Sequence, residues 1–244
     1  GGRTLRSITS LSLLTLATAF APITSTFAYT ELENGVPFIN KPLTGPGSEG
    51  AEISIGDTTF DDVKVATITN TSGERTTTAL NVKHGQTTTI SGNFSVINAV
   101  SLDGRDFIAN NNALFVQGGS TLTFDENTES VFIAAIGDSF RLRASAAISA
   151  KNTVNTDQTG SNTVTVQGKK VQIIGDLEVE DSSGVSAPEG SQNTINLILS
   201  SADSFWYGDQ SGVSENDVVN LTLSNGGEWI YFSTPSISNL TLLD

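Results

Sequence analysis

A four-residue register, Asn-Leu-x-Leu, returns three times near the C-terminus, beginning at Asn196, Asn220 and Asn239. Each copy follows the last by about 20–25 residues. The first two copies extend further. NLILSSADSFWYGD from Asn196 and NLTLSNGGEWIYFS from Asn220 share the next serine and place aromatic residues at matching distances. A looser set reads ALNVKHGQTTTI from Ala79, ALFVQGGSTLTF from Ala113 and TVTVQGKKVQII from Thr163. Each runs apolar alternation, a turn with glycine, then apolar alternation. A repeat of this size is the length of one solenoid coil, which cannot bury its apolar face alone and therefore stacks on its neighbours.

Alternation with a period of two dominates from Ala51 onward, in short β-branched or aromatic runs bounded by Gly, Asn, Asp or Ser. Helical spacing is plausible only over 139–150, which reads equally well as strand. A hairpin sandwich would not require the same residue to return at every coil, whereas a parallel β-helix sets each position over its equivalent at about 4.8 Å. The register therefore predicts an all-β parallel β-helix forming one elongated domain. Leu197, Leu199, Leu221, Leu223, Leu240 and Leu242 are expected in inward columns, and Asn196, Asn220 and Asn239 in an amide ladder. Trp206 and Trp229, at near-equivalent positions, are expected to pack on each other. At about 20–25 residues per coil the chain after residue 28 makes roughly nine coils, or about 40 Å of rod. The loose copies lie further apart than one such coil, so the remainder is assigned to unmatched coils or to protruding loops, of which 152–161 and 181–192 are the best candidates.

Residues 1–28 read as a secretory signal: Arg3 and Arg6 form a basic start, 8–21 an apolar stretch and 22–28 a small-residue end, with cleavage expected after Ala28. Ala19-Phe20-Ala21 offers an earlier site. The apolar stretch is shorter than the ~20 residues that span a bilayer. Residues 29–50, with Pro37, Pro42 and Pro46, read as a leader or cap, and 51–244 as the β-helix. The formal charge is −14, and loss of Arg3 and Arg6 leaves ten basic against 26 acidic residues, or −16. That balance excludes a nucleic-acid partner, whose phosphates need a basic face. With no cysteine in the chain, an exported protein of this kind draws its stability from stacking rather than disulfides.

Chemistry finds little support. Gly137-Asp138-Ser139 evokes a serine-protease nucleophile, but Phe140 replaces the glycine that such a loop needs, and the one histidine, His84, falls in the turn of a repeat copy. Asp61-Asp62 and the run 178–181 are the densest acidic groups, and neither has a second cluster one coil away. They read as solvated turn or outer-face residues. Metal-ligand spacing, calcium repeats and phosphate-binding loops are missing from the sequence. No catalytic, cofactor-binding or metal-ligating residue is therefore expected.

Ser204-Phe205-Trp206-Tyr207-Gly208, then Leu221-Thr222-Leu223-Ser224-Asn225-Gly226-Gly227-Glu228-Trp229, then the stretch 236–242 resemble the C-terminal coils of autotransporter passenger domains of the pertactin-like and AIDA-like group. The match is tight over 193–244 and architectural before that. It implies a right-handed β-helix, type V secretion through an outer-membrane β-barrel translocator encoded downstream of Asp244, and display at the cell surface. Residues 193–244 would be the coils that drive passenger folding. It also implies a non-enzymatic adhesin or stalk, whose partner is a protein or glycan on a host or neighbouring cell. Lyases and pectinases share the scaffold, so a secreted polysaccharide-active enzyme is the competing expectation.

Overall fold

The computed structural model describes residues 4–7, 29–43, 49–56, 58–69, 77–100, 111–136, 145–156, 158–212, 214–231 and 236–243. Among them every regular element is a β-strand, and every strand pairing is parallel. The chain is a parallel β-helix whose coils carry three strands each, so the strands stack into three rows. The leading row is a seven-stranded sheet running from Thr30–Glu31 through Thr77–Val82, Asn111–Val116 and Ser145–Ala150 to Gln210–Ser211. A middle row contains Thr121–Phe124, Thr163–Val166, Thr194–Leu199, Val218–Leu223 and Asn239–Leu242. A trailing row contains Ser130–Ile136, Val171–Ile174, Phe205–Tyr207 and Glu228–Tyr231.

Middle and trailing rows merge into one 13-stranded sheet because Thr59–Thr69 and Thr87–Val100 run through both. At the bend the register shifts between Asp61 and Val63, where Asp62 (φ 51) and Gly92 (φ 72) take left-handed backbone. A side chain on Gly92 would strike the Asp62 carboxylate, so the corner needs glycine there.

Partners along the middle row are Thr87, Thr121, Thr163, Thr194 and Val218. Successive coils are therefore offset in sequence by 34, 42, 31 and 24, the same separations that recur in the hydrogen bonds between coils. The last step, Asn220 to Asn239, is 19. The expected length of about 20–25 residues per coil thus holds only near the C-terminal end. The expected nine coils reduce to seven rungs in the middle row among the described residues. Part of the difference is loop: the described residues of 151–162 and 179–193 carry no strand, and these ranges contain both segments singled out from sequence. Residues 29–50 contribute the first rung, with Thr30–Glu31 on Ala51–Glu52 and Phe38–Leu43 on Thr59–Thr69. Residues 8–28, including Ala28, lie outside the described residues, whereas Thr4–Ser7 pairs with Glu228–Tyr231.

The loose copies prove unequal. Those at Ala79 and Ala113 lie one coil apart, with Leu80 on Leu114 and Thr87 on Thr121. The Thr163 copy begins one row later, with Val164 on Leu122 and Val171 on Val131. Alternation, glycine turn and alternation describe any corner of a three-sided coil, so pattern alone does not identify which corner. His84 is accordingly equivalent to Gly118, and Gly168 belongs to a different turn.

At the C-terminal coils Asn196, Asn220 and Asn239 lie in register, as do Leu197, Leu221 and Leu240, and Leu199, Leu223 and Leu242. Asn239 Nδ2 donates to Asn220 Oδ1 at 2.8 Å, Asn220 Nδ2 to Asn196 Oδ1 at 2.9 Å, and Asn196 Nδ2 to Thr165 Oγ1 at 3.1 Å. Leu197, Leu199, Leu221 and Leu223 are buried, while Leu242 on the last rung is 43% exposed. Trp206 and Trp229 stack with centroids 5.1 Å apart and planes 5° apart. Their buried indole N–H groups donate to the Gly175 and Gly208 carbonyls, both at 2.9 Å.

Gly208 sits where a Cβ would come within 2.2 Å of the Gly175 carbonyl oxygen and 2.9 Å of the Trp206 indole nitrogen. Backbone cannot yield as a flexible side chain would. Gly208→Ala is expected to cost about 1–3 kcal/mol, the range for overpacking, and Trp229→Ala about 3–5 kcal/mol for the cavity it leaves, both read from urea unfolding. Midpoints within error of the parent would contradict the packing described.

Candidate ligand-binding groove

The leading row differs from the middle row in being covered on its outer side. Register places Glu52, Asn81, Phe115, Ser149 and Glu178 in one column across five coils. In the middle row the alternate positions of strands such as Thr121–Phe124 and Thr163–Val166 are half-exposed. Here Asn81 and Ser149 are fully buried and Phe115 is 3% exposed.

The covering chain is held by a polar ladder at the corner leading into the middle row. Ser120 N–H donates to Asn162 Oδ1 at 3.1 Å, Asn162 N–H to Asn193 Oδ1 at 3.3 Å, and Asn193 N–H to Asp217 Oδ1 at 2.8 Å. Each side-chain oxygen thus satisfies the backbone one coil away, which is how a loop buries its N–H groups without a strand partner. Asp181 Oδ1 accepts from Asn152 N–H at 2.7 Å and from Asn193 Nδ2 at 2.8 Å, tying loop 179–193 to loop 151–162. From this anchor residues 153–156 run along the leading row, where Thr156 Oγ1 donates to Gln117 Oε1 at 2.7 Å and Gln117 Nε2 to Asn81 Oδ1 at 2.9 Å.

Between that wall and the row lies a groove of about 420 Å³ lined by Tyr29, Glu49, Thr78, Lys83, Asn112, Phe115, Gln117, Lys151, residues 153–156 and Ser182. Lys151 is 7% exposed, and its Nζ lies 2.6 Å from Glu178 Oε1. Lys83 Nζ lies 3.9 Å from Glu52 Oε2 and 5.0 Å from the Tyr29 ring centroid. His84 Nε2 approaches the other oxygen of Glu52 at 3.4 Å. Glu49 hydrogen-bonds the Tyr29 hydroxyl, and its Oε2 is buried without a partner. Burial pushes the Glu49 carboxyl up to about 7, against the opposing pull of the Tyr29 hydrogen bond and the Lys83 charge. Burial, with Glu49 beside it, likewise pushes the Tyr29 hydroxyl well above its ordinary value. The groove offers donors, acceptors and an aromatic wall, with Glu49 as the one carboxylate in its lining among the described residues.

The acidic groups noted from sequence are only partly solvated. Asp61 and Asp62 are exposed; Asp61 accepts from Ser91 Oγ, and Asp62 from Asn93 N–H. Glu178 and Asp181 were expected to be solvated, yet one pairs with Lys151 and the other joins the corner ladder, because neighbouring coils bring cation and amides to them. Gly137-Asp138-Ser139 lies outside the described residues. The stacking residues Asn196, Asn220, Asn239, Trp206 and Trp229 belong to the C-terminal coils and are not part of the groove lining. The groove itself was missed. Its one sequence signal is the equal spacing of Lys83, Gln117 and Lys151 along the chain, which matches the leading-row step from Thr77 to Asn111 and on to Ser145.

No protein-family model matches the chain, and neither a curated protein nor a solved structure does. Among the described residues no helix is long and apolar enough to cross a membrane, a statement that says nothing of β-barrels.

Glu49 sets a pH dependence. In the fold it keeps its proton up to about pH 7, whereas in the unfolded chain it releases it near the ordinary ~4.3. Between these values the native state holds more protons, so stability falls as pH rises, by at most about 1.4 kcal/mol per unit, and levels off above about 7. Glu49→Gln is expected to remove this slope from urea unfolding measured between pH 5 and 8. A variant that keeps the parent's slope would show that Glu49 is not its source.

Proposed function

We propose that the chain is an exported passenger of the autotransporter type, displayed at the cell surface as a non-enzymatic adhesin or stalk. The observation that carries this reading is the geometry of the C-terminal coils. There the residues of the resemblance converge: Trp206 lies on Trp229, the Asn amides form a continuous ladder, and Gly227 fits where a Cβ would come within 2.2 Å of the Leu199 carbonyl oxygen. Seven rungs at about 4.8 Å make a rod of about 30 Å whose regular stacking suits presentation away from a membrane. Signal-like residues 1–28 and the acidic, cysteine-free composition support export. On this reading a β-barrel translocator acts downstream, and the partner is a ligand on another cell.

Binding is favoured over cleavage by the groove's chemistry. Acid–base cleavage of glycosidic bonds takes two carboxyl groups about 5–9.5 Å apart; Glu49 is the one in the described lining, and Glu178 and Glu52 beside it are paired with Lys151 and Lys83.

The test is to join the chain at Asp244 to an outer-membrane β-barrel translocator in a Gram-negative host. The expected product begins at Tyr29 by N-terminal sequencing and is digested by protease added to intact cells. A chain that retains residues 1–28 and stays inside the cell would contradict the proposal.

A further inference from the structure

We propose that the groove on the leading row is a binding site for a short neutral oligosaccharide. The proposal rests on the adhesin reading for its biological setting and deepens it by naming the ligand class. Three observations carry it.

The first is electrostatic. Both ammonium groups in the groove lie beside a carboxylate, Lys151 hydrogen-bonded to Glu178 at 2.6 Å and Lys83 in a looser ion pair with Glu52 at 3.9 Å, and Glu49 adds a third carboxyl group. An anionic ligand would find Lys151 already bonded to Glu178 and Lys83 shared with Glu52, and would approach a chain of formal charge −14. A cationic ligand would find the carboxylates of Glu178 and Glu52 already taken by the ammonium groups. Charge therefore selects a neutral ligand.

The second is the inventory of polar groups. Hydroxyl and amide side chains dominate the lining, with Asn112 and Gln117 on its floor and residues 153–156 as its wall. Glu49 Oε2 is buried with no partner inside the protein, and a buried acceptor left unsatisfied costs about 1–3 kcal/mol. A sugar hydroxyl supplies the missing donor, and neighbouring hydroxyls offer acceptors to the Lys and amide N–H groups. An apolar ligand would leave Glu49 Oε2 without that donor.

The third is shape. Tyr29, half-buried, gives the groove aromatic surface beside its polar groups, while Phe115 is 3% exposed; an aromatic ring beside polar groups is the combination that packs a sugar's C–H face while its hydroxyls are read. A volume of about 420 Å³ lies within the ~300–1,000 Å³ of small-ligand pockets.

The test is isothermal titration calorimetry on the full chain at pH 7.5 with mannotriose, cellotriose, β-1,4-galactotriose and chitotriose, and with trigalacturonate as the anionic counterpart. At least one neutral trisaccharide is expected to bind saturably and more tightly than trigalacturonate. Asn155→Trp, at an exposed wall position, is expected to weaken it tenfold or more with an unchanged circular dichroism spectrum, and Glu49→Gln to weaken it severalfold. No binding by any neutral trisaccharide, tighter binding of trigalacturonate, or affinity indifferent to Asn155→Trp would overturn the proposal. New reducing ends released during the titration would uphold the site and overturn the non-enzymatic reading. Binding by a chain that fails the export assay would uphold the site and overturn display.

Discussion

Each strand of this rod satisfies its backbone through the coil above and the coil below, and everything else follows from that pairing. Parallel register at about 4.8 Å lays like on like, so a leucine column fills the interior and an asparagine column becomes a ladder. Trp206 on Trp229 extends the same rule to indoles, whose N–H groups reach the Gly175 and Gly208 carbonyls at the corner. Where strands give way to loops, Asn162, Asn193 and Asp217 take over the duty of pairing the backbone of the neighbouring coil. In a chain without cysteine, this coil-to-coil bonding and the thin apolar core are the sources of cohesion.

The parallel stack was legible from Asn-Leu-x-Leu because inward and outward positions must each repeat when coils superpose, and two independent constraints at one spacing are hard to mimic by composition. Coil length was legible only where loops are short. Upstream, the longer and unequal steps from Thr87 to Thr121, Thr163 and Thr194 hide the repeat, since loop length is nearly free of the core's constraints and varies from coil to coil. The misplacement of the Thr163 copy has a related cause. All three corners demand glycine or another turn former between alternating runs, so a local pattern carries no label for its row.

The groove was hidden for a different reason. Its lining comes from Tyr29, Glu49, Lys83, Gln117, Lys151 and Thr156, residues distant in sequence that meet only once leading-row coils are superposed. Individually each resembles an ordinary polar turn or strand residue. Even the Glu49 carboxyl, which burial raises to about 7, meets Tyr29 and Lys83 only once the coils are stacked. The protein's smooth repetition supplies the scaffold, and the groove comes from the corners where loops 151–162 and 179–193 depart from repetition.

The central claim is coil-on-coil register, and the absence of native cysteine allows it to be tested by cross-linking. Ile198 and Thr222 are partners on adjacent coils, so Ile198→Cys with Thr222→Cys would bring the two Cα atoms to about 4.8 Å, inside the ~4.4–6.8 Å a disulfide spans. The offset pair Asn196→Cys with Thr222→Cys would not. Under mild oxidation the account expects the in-register pair to form its disulfide at least tenfold faster than the offset pair. Equal rates, or a faster offset pair, would contradict the stacking on which the whole structure depends.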